Sequence, residues 1–310
     1  MSGALVIHPG ALGDVLQAVP ALCALRADGA IAFAGQPRIG ELLRELALAD
    51  SVLSFDALGL SALFTREPLP LALAERLQSY ARVVSWFGAR ENLYRERLAA
   101  ASRAAMVASP VPGDESSEPV WRHLLATIGR AAHSDPSPLE VPSAQQEAAR
   151  RALERLGLGG EVWLLVVHPG AGGAWKRWPV VHLARVIEGV RANLPIQVLV
   201  HQGPADRDAA DELVRALPEP APRLVEPELP LLAGILGRAG GYLGGDSGVS
   251  HLAAAVGAPA TILFPAATRD RWTPWSPTAR VLAAGTELPS ATAIAAAVTA
   301  TLRAATSASR

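Results

Sequence analysis

Residues 240–265 read GGYLGGDSGVSHLAAAVGAPATILFP, and the architecture of the chain can be worked out from this stretch. A short apolar run ends at Gly245, and an Ala-rich helical pattern begins near Val249 and ends at Gly257. A second apolar run follows at residues 260–264. The pattern predicts a strand, a tight turn, a helix and another strand, which is the repeating unit of a parallel α/β sheet.

The turn within this stretch carries groups that suit an anion. Asp246 or Ser247 can cap the helix, and the backbone amides of Ser247, Gly248 and Val249 form an anion site at its N-terminus. His251 follows one turn into the helix. An ordinary capped helix of an α/β domain explains the same residues, and on this segment alone both interpretations stand.

The composition narrows the class of protein. The chain has 310 residues, half of them hydrophobic, which is enough for two domains with separate cores. With a net charge of -1 and 18% charged residues, it lacks the basic surface of a nucleic-acid-binding protein. Any anionic ligand must therefore be bound by local groups.

Cysteine usage and hydropathy predict a cytoplasmic protein. The single cysteine, Cys23, cannot form an intrachain disulfide, and its apolar helical surroundings predict a small core residue. No apolar run approaches the ~20 residues that span a bilayer. We expect a soluble monomer without a transmembrane segment.

The chain opens with a strand pattern at residues 4–8, followed by a turn with Gly10 and Gly13. Asp14 comes next, at the start of a helical pattern and at the carboxyl end of the first strand, where open α/β sheets hold their ligands. A purely structural role is the alternative, because an acid at this position also caps a helix and favours its dipole.

The opening motif recurs in the second half of the chain. VIHPGALG at residues 6–13 is answered by VVHPGAGG at residues 166–173, each after a strand pattern. We therefore predict an α/β protein of two Rossmann-like, doubly wound parallel-sheet domains that face each other across a cleft. Their bounds are residues 1–157 and 158–288, and a C-terminal helix at residues 289–310 is expected to pack back on the first domain.

The glycine-rich loops lack the standard nucleotide fingerprints. Gly10 and Gly13 do not form GxGxxG, Gly170 and Gly172 lack the third glycine, and no Walker A sequence follows. Instead, the second loop delivers Lys176, the one lysine among 28 basic residues, close to a helix start. A compact ammonium in such a place suits a phosphate that is held or that leaves.

Asp206 lies just after the strand pattern at residues 196–200. It can accept hydrogen bonds from ribose hydroxyls, as acids after strands do in other nucleotide sites. It can equally be the N-terminal acid of the helix that follows.

Three stretches, taken in order, resemble glycosyltransferase family 9, the heptosyltransferases of lipopolysaccharide core assembly. They are HPGALGDV at residues 8–15 with Pro20, VHPGAG at residues 167–172 with KRWP at residues 176–179, and GDSGVSHLAAA at residues 245–255 with LFP at residues 263–265 and WTPW at residues 272–275.

The resemblance implies a GT-B fold, with the donor nucleotide sugar held mainly by the second domain. It implies that Asp14 is the general base, Lys176 the phosphate-binding lysine, Asp246 the acid of the donor loop and His251 the histidine of the same helix. The family usually has a glutamate where Asp206 stands, and this departure alters ribose recognition or the nucleotide.

The function implied is inverting transfer of a sugar, a heptose from ADP-heptose, to a lipopolysaccharide-core-like or other glycan acceptor, with no metal and no cofactor. As the leaving diphosphate gains charge, Lys176, a protonated His251 and the amides of residues 247–249 can stabilise it. A lipid-linked acceptor would bring the enzyme to the inner face of the inner membrane. The alternatives are a nucleotide-sugar epimerase or hydrolase, and a sugar-nucleotide-binding protein without catalysis.

Overall fold

Two separate parallel sheets form the framework of the chain. A computed structural model describes residues 3–132, 136–160, 162–173, 176–285 and 287–308. The contacts divide the chain into two units, residues 1–134 and 135–310, and each unit contains one sheet with its helices.

The first unit is built on a five-stranded sheet whose order is β3-β2-β1-β4-β5, with every neighbouring pair parallel. Its strands are β1 (Gly3–Ile7), β2 (Ala30–Gly35), β3 (Ser51–Ser54), β4 (Arg82–Ser85) and β5 (Ala105–Val107). Its α-helices are α1 (Leu12–Gln17), α2 (Val19–Asp28), α3 (Pro37–Glu45), α4 (Leu71–Ser79), α5 (Asn92–Ala101) and α6 (Val120–Thr127), and two 3₁₀ helices lie at Asp56–Leu58 and Leu60–Phe64.

The second unit is built on a six-stranded parallel sheet whose order is β11-β10-β9-β6-β7-β8. Its strands are β6 (Trp163–His168), β7 (Ile196–Gln202), β8 (Arg223–Val225), β9 (Gly241–Gly245), β10 (Ala260–Pro265) and β11 (Ala279–Ala284). Its helices are α7 (Ser143–Arg155), α8 (Val180–Arg191), α9 (Arg207–Ala216), α10 (Leu229–Arg238), α11 (Gly248–Ala255), α12 (Ala266–Trp272) and α13 (Ala291–Ala308).

The opening strand of each unit lies inside its sheet. In β1 the residues from Leu5 to Ile7 are fully buried, as are those from Leu165 to Val167 in β6. Parallel strands are covered by helices on both faces, which explains why these segments read as continuous apolar runs. The predicted α/β class with two parallel sheets is confirmed.

The division of the chain comes earlier than the predicted boundary at residue 157. Helix α7 packs on α10 of the second unit. The two helices approach closely because Gly234 has no side chain. A Cβ added there would come within 3.0 Å of the carbonyl carbon of Gln145 and nearer still to its oxygen. Helix α7 therefore begins the second unit, although its sequence reads as the end of the first.

The C-terminal helix, which was expected to pack back on the first domain, belongs to the second unit. Helix α13 packs on α8 and on strands β9 and β10. Its buried residues Ile294, Val298 and Leu302 join the core cluster of the second unit. In the ranges that the structure describes, no helix is long and apolar enough to cross a membrane.

Each sheet has one point at which the order of its strands reverses. From β1 the chain builds outward to β2 and β3, and then returns to β4 on the other side of β1. The same reversal occurs between β6 and β9 in the second sheet. Open α/β sheets bind ligands beyond the carboxyl ends of the strands at such reversals.

Candidate active site

In the second unit, the turn after β9 presents a helix N-terminus at the reversal point. Ser247 is the N-cap of α11, and its Oγ accepts a hydrogen bond from the Ser250 amide at 3.3 Å. Gly248 and Val249 are the first two residues of the helix, where amides have no acceptor within the helix. Of the two predicted caps, Ser247 is the one that the structure has, and Asp246 has a different partner.

Asp246 forms an ion pair with Lys176. The Nζ of Lys176 lies 2.7 Å from Oδ2 of Asp246, which is 5% exposed. The loop that carries Lys176 passes close to the end of β9. The Lys176 carbonyl oxygen would lie only 3.4 Å from a Cβ added at Gly245. Two predicted phosphate-site residues, 70 positions apart in the sequence, are thus brought together beside the start of α11.

His251, one turn into α11, is also buried. Its ring packs edge-on against Phe264, with the centroids 6.3 Å apart. Burial lowers the pKa of His251 to about 4, against the opposing effect of the Asp246 carboxylate, and the Lys176 ammonium lowers it further. Burial thus favours the neutral ring at pH 7 over the protonated His251 considered from the sequence.

The carboxylate of Asp206 points into the interior of the second unit, where it lies against Gly170 and Gly203. A Cβ added at Gly170 would come within 2.7 Å of Oδ2 of Asp206, and one added at Gly203 within 2.6 Å. The same Oδ2 lies 3.8 Å from Nε2 of His168, and Nδ1 of His168 is 3.0 Å from Nδ1 of His201. Asp206 is the N-cap residue of α9, but its side chain makes no capping hydrogen bond.

The close contact between Gly170 and Asp206 gives a first testable prediction. We expect Gly170→Ala to lower the free energy of unfolding by about 1–3 kcal/mol, because the added methyl group overlaps a buried carboxylate. Gly172→Ala is the matched control in the same loop, since its added Cβ would meet no atom of the described residues within 4 Å. Urea unfolding of both variants measures the difference, and equal losses would contradict this packing.

In the first unit, Asp14 lies beyond the carboxyl end of β1, within the first turn of α1. Its Oδ2 accepts a hydrogen bond from the Ala11 amide at 3.0 Å. The capping role considered from the sequence is therefore real, and it uses a carboxylate that is half-buried rather than enclosed. Gly13 lies inside the first turn of the same helix.

A cavity of about 440 Å³ adjoins Asp14 at the carboxyl ends of β1, β4 and β5. Its lining includes Gly10, and a Cβ there would come within 2.9 Å of the Asp14 Cβ and 2.7 Å of Cε1 of His8. A side chain at position 10 would thus collide with both His8 and Asp14. The sequence predicted a site here but gave no role to His8 or to Trp86, which also lines the cavity.

Both repeated His-Pro-Gly motifs place a buried histidine at a strand end. Nδ1 of His8 accepts a hydrogen bond from the Gly10 amide at 3.2 Å, and its ring packs edge-on against Trp86. Burial lowers the pKa of His8 to about 4, while the backbone hydrogen bond opposes this shift. Burial also lowers the pKa of His168. The repeated His-Pro-Gly sequence is the feature that could have identified His8 and His168. The two histidines occupy matching positions in the two sheets.

These buried rings predict a loss of stability in acid. The pKa values of His8 and His251 are lowered to about 4 and that of His201 to about 3, mainly by burial. An unfolded histidine titrates near 6.5, so between about pH 6.5 and pH 4 the unfolded chain gains protons that the folded protein does not bind. From pH 7.5 to pH 5, we expect each ring to lower the free energy of unfolding by roughly 2 kcal/mol.

Urea unfolding at pH 7.5, 6 and 5 measures this loss. In His8→Gln, the loss of unfolding free energy between pH 7.5 and pH 5 should be smaller by the contribution of the His8 ring, roughly 2 kcal/mol. A free energy of unfolding that stays constant or rises as the pH falls from 6.5 to 4.5 would show that these rings are protonated in the folded state.

In the ranges that the structure describes, no three His, Cys, Asp or Glu side chains are grouped so that they could hold a metal ion.

The chain matches known proteins over most of its length. The family model described as glycosyltransferase family 9 (heptosyltransferase) matches residues 39–294. Two curated relatives are lipopolysaccharide heptosyltransferase 3 of Escherichia coli, 27% identical over 157 residues, and that of E. coli strain K12, 31% identical over 131 residues. These matches cover 49% and 41% of this chain, and the chain spans 45% and 37% of the relatives' length.

Solved structures share the fold at low identity. E. coli ADP-heptose lps heptosyltransferase II has a TM-score of 0.73 at 18% identity, with 97% of this chain and 99% of that one covered. E. coli heptosyltransferase WaaC with ADP has a TM-score of 0.68 at 19% identity, with 97% and 100% covered. A glycosyl transferase family 9 structure from Veillonella parvula has a TM-score of 0.72 at 18% identity, with 91% and 85% covered. The predicted GT-B fold is confirmed, and since the family model matches most of the residues, the chain belongs to glycosyltransferase family 9.

Proposed function

We propose that this protein is an inverting, metal-independent glycosyltransferase that moves a heptose from ADP-heptose to a hydroxyl group of a glycan acceptor, of the lipopolysaccharide-core type or another. The observation that carries the proposal is the ion pair between Lys176 and Asp246 at the start of α11. At this place, where the second sheet reverses its strand order, the ammonium of Lys176 lies beside the free amides at the start of α11.

The diphosphate of the donor is the group that fits this place. The ammonium of Lys176 and the amides of Gly248 and Val249 can stabilise negative charge on a leaving diphosphate without a metal ion. Asp246 holds Lys176 in position, since the two charges are 2.7 Å apart and the carboxylate is buried. Neutral His251 contributes shape and a hydrogen-bonding ring rather than a charge. The sequence position of Asp206 suits a ribose contact, but its carboxylate is turned inward, so we propose that it supports the Gly170 loop instead.

Asp14 is the proposed base. The acceptor hydroxyl gives its proton to the Asp14 carboxylate as its oxygen bonds to the anomeric carbon, and the bond from that carbon to the diphosphate breaks with the electron pair going to the phosphate oxygen. Attack from the face opposite the leaving group inverts the anomeric configuration. The carboxylate is a weak base, so the proton moves mainly as the new bond forms.

The nucleotide is the first part of the proposal to test. Two of the structurally similar proteins are described with ADP or ADP-heptose, and we carry that donor over to this chain. Calorimetric titration with ADP, UDP and GDP in EDTA should give binding at least tenfold tighter for ADP. Equal affinities, or binding that needs Mg²⁺, would remove ADP-heptose and the metal-free site from the proposal.

Incubation with the donor alone separates the proposal from the other enzyme classes. We expect no consumption of ADP-heptose without an acceptor. Steady consumption would identify an epimerase or a hydrolase, and binding without turnover under any condition would identify a sugar-nucleotide-binding protein. We also propose that the reaction takes place in the cytoplasm, where a lipid-linked acceptor would hold the enzyme at the inner face of the membrane.

A further inference from the structure

His8 lines the cavity beside Asp14 and is itself enclosed. The side chain comes directly after β1, is 2% exposed and is among the residues that surround the space of about 440 Å³. Arg90 and Glu91 also lie at this cavity, but both are exposed, so water and salt screen their charges. The ring of His8 is therefore a polar group that an occupant of the cavity meets away from bulk water.

One ring nitrogen of His8 has a partner, and this partner fixes the position of the proton. Nδ1 accepts a hydrogen bond from the Gly10 amide at 3.2 Å, so in the neutral ring the proton is on Nε2. Burial lowers the pKa of His8 to about 4, which favours the neutral ring at pH 7. His8 thus carries an Nε2–H group that can donate a hydrogen bond but not accept one.

The Nε2–H group lacks an acceptor in the part of the chain that the structure describes. Nε2 is buried and has no hydrogen-bond partner there. The ring packs against that of Trp86, with the centroids 5.7 Å apart, but the indole nitrogen is only a donor and is bonded to Oγ1 of Thr127 at 2.9 Å. A buried donor without an acceptor costs about 1–3 kcal/mol, so such groups are nearly always paired in native proteins. A molecule in the cavity can supply the acceptor.

Gly10 places this donor next to the proposed base. A Cβ added at Gly10 would lie 2.7 Å from Cε1 of His8 and 2.9 Å from the Cβ of Asp14, so the two side chains are neighbours on either side of Gly10. Within the imidazole ring, Cε1 is bonded directly to Nε2. A sugar that presents one hydroxyl to Asp14 can therefore present a neighbouring oxygen to Nε2 of His8.

We propose that His8 is a binding residue for the acceptor sugar, and that its Nε2–H donates a hydrogen bond to an oxygen of the sugar whose hydroxyl loses its proton to Asp14. The inference rests on the proposed function and adds the contact that orients the sugar. His8 itself takes up no proton in the reaction. A neutral N–H group can donate to the oxygen of a hydroxyl, a carboxylate or a phosphate, so it suits charged saccharides as well as uncharged ones.

Two substitutions separate the roles of the two ring nitrogens. In His8→Gln, the side-chain amide nitrogen can take the place of Nε2 and restore the donor, but the Gly10 amide loses its acceptor. In His8→Asn, the amide oxygen can take the place of Nδ1 and accept from the Gly10 amide, but no donor reaches the place of Nε2. Initial rates are measured on the full chain with ADP-heptose and a truncated lipopolysaccharide core, and urea unfolding checks that both variants fold.

We expect His8→Asn to lower kcat/KM for the core about tenfold and to leave the KM for ADP-heptose unchanged, while His8→Gln stays within about threefold of the unaltered protein. A purely structural histidine gives the opposite order, because His8→Asn is the variant that keeps the hydrogen bond from Gly10. Equal kcat/KM values for the core in the two variants, or a lower value in His8→Gln, would overturn the inference.

A second measurement does not depend on how the variants fold. Nitrogen-15 NMR of the histidine rings at pH 7 reports which ring nitrogen carries the proton. We expect His8 to be protonated on Nε2 and its Nε2 signal to shift when the core is added. Protonation on Nδ1, or a His8 signal that the bound core leaves unchanged, would overturn the inference.

The failure of this inference can be told from the failure of the proposed function. Transfer to the core that proceeds equally well in His8→Asn and His8→Gln would remove only the role of His8. No transfer to the core by the unaltered protein would remove the core as acceptor from the proposed function, and the role of His8 with it.

Discussion

The Asp14→Asn variant is expected to lose turnover by about 10²–10⁴-fold while it binds ADP as tightly as the unaltered protein. Its amide oxygen can still accept the hydrogen bond from the Ala11 amide, so α1 keeps its cap. The amide cannot take up the proton of an acceptor hydroxyl. Initial rates with ADP-heptose and acceptor, together with calorimetric titration of ADP, measure the two properties separately.

Asp56→Asn is the control for this experiment, since Asp56 is an exposed acid of the same unit at the start of a 3₁₀ helix. Its turnover should be unchanged. If Asp14→Asn keeps turnover within threefold of the unaltered protein, Asp14 is not the base.

The Lys176→Ala variant should bind ADP about 10–100-fold more weakly, because a hydrogen bond to a charged group is worth roughly 1.5–3 kcal/mol. It also leaves the buried carboxylate of Asp246 without the ammonium that lies 2.7 Å away in the unaltered protein. We therefore expect the free energy of unfolding to fall by about 1–3 kcal/mol without ligand. Calorimetry and urea unfolding measure the two losses.

A double variant separates the two effects of Lys176. Lys176→Ala with Asp246→Asn removes the unpaired charge, so stability should recover while ADP affinity stays low. Arg177→Ala is the matched control, as Arg177 is the neighbouring cation and donates to the Ala205 carbonyl rather than to Asp246. Unchanged ADP affinity in Lys176→Ala would remove this residue from the phosphate site.

The parallel sheets and the positions of Asp14, Lys176 and Asp246 could be predicted because they depend on local signals. Apolar runs that end at glycines, followed by helical patterns, place these residues at carboxyl ends of strands or in the loops that follow. The reversal of strand order then brings Lys176 and Asp246 together, and the repeat of His-Pro-Gly indicated that each sheet opens in the same way.

Other features depend on contacts that the sequence pattern does not specify. Helix α13 is rich in alanine and has no charged face, so its sequence does not indicate which unit covers it. Cys23 lies in an apolar pattern on α2 and was expected in the core, but it is exposed while Leu22 and Leu25 face inward. The segment after β10 contains α12, whose start follows Pro265.

Protonation and side-chain direction at the site were also beyond sequence reasoning. The charge of His251 depends on its burial, which is a property of the folded unit. Asp206 turns inward because two residues without side chains, Gly170 and Gly203, leave room for its carboxylate. Neither effect can be read from the spacing of residues along the chain.

The most direct test of the central claim follows the reaction of ADP-heptose in EDTA by proton NMR, with a truncated lipopolysaccharide core as the acceptor. We predict one ADP released for each glycosidic bond formed, a product whose anomeric configuration is opposite to that of the donor, and no ADP released without acceptor. A product that keeps the donor's configuration, or ADP released without acceptor, would contradict inverting transfer by this protein.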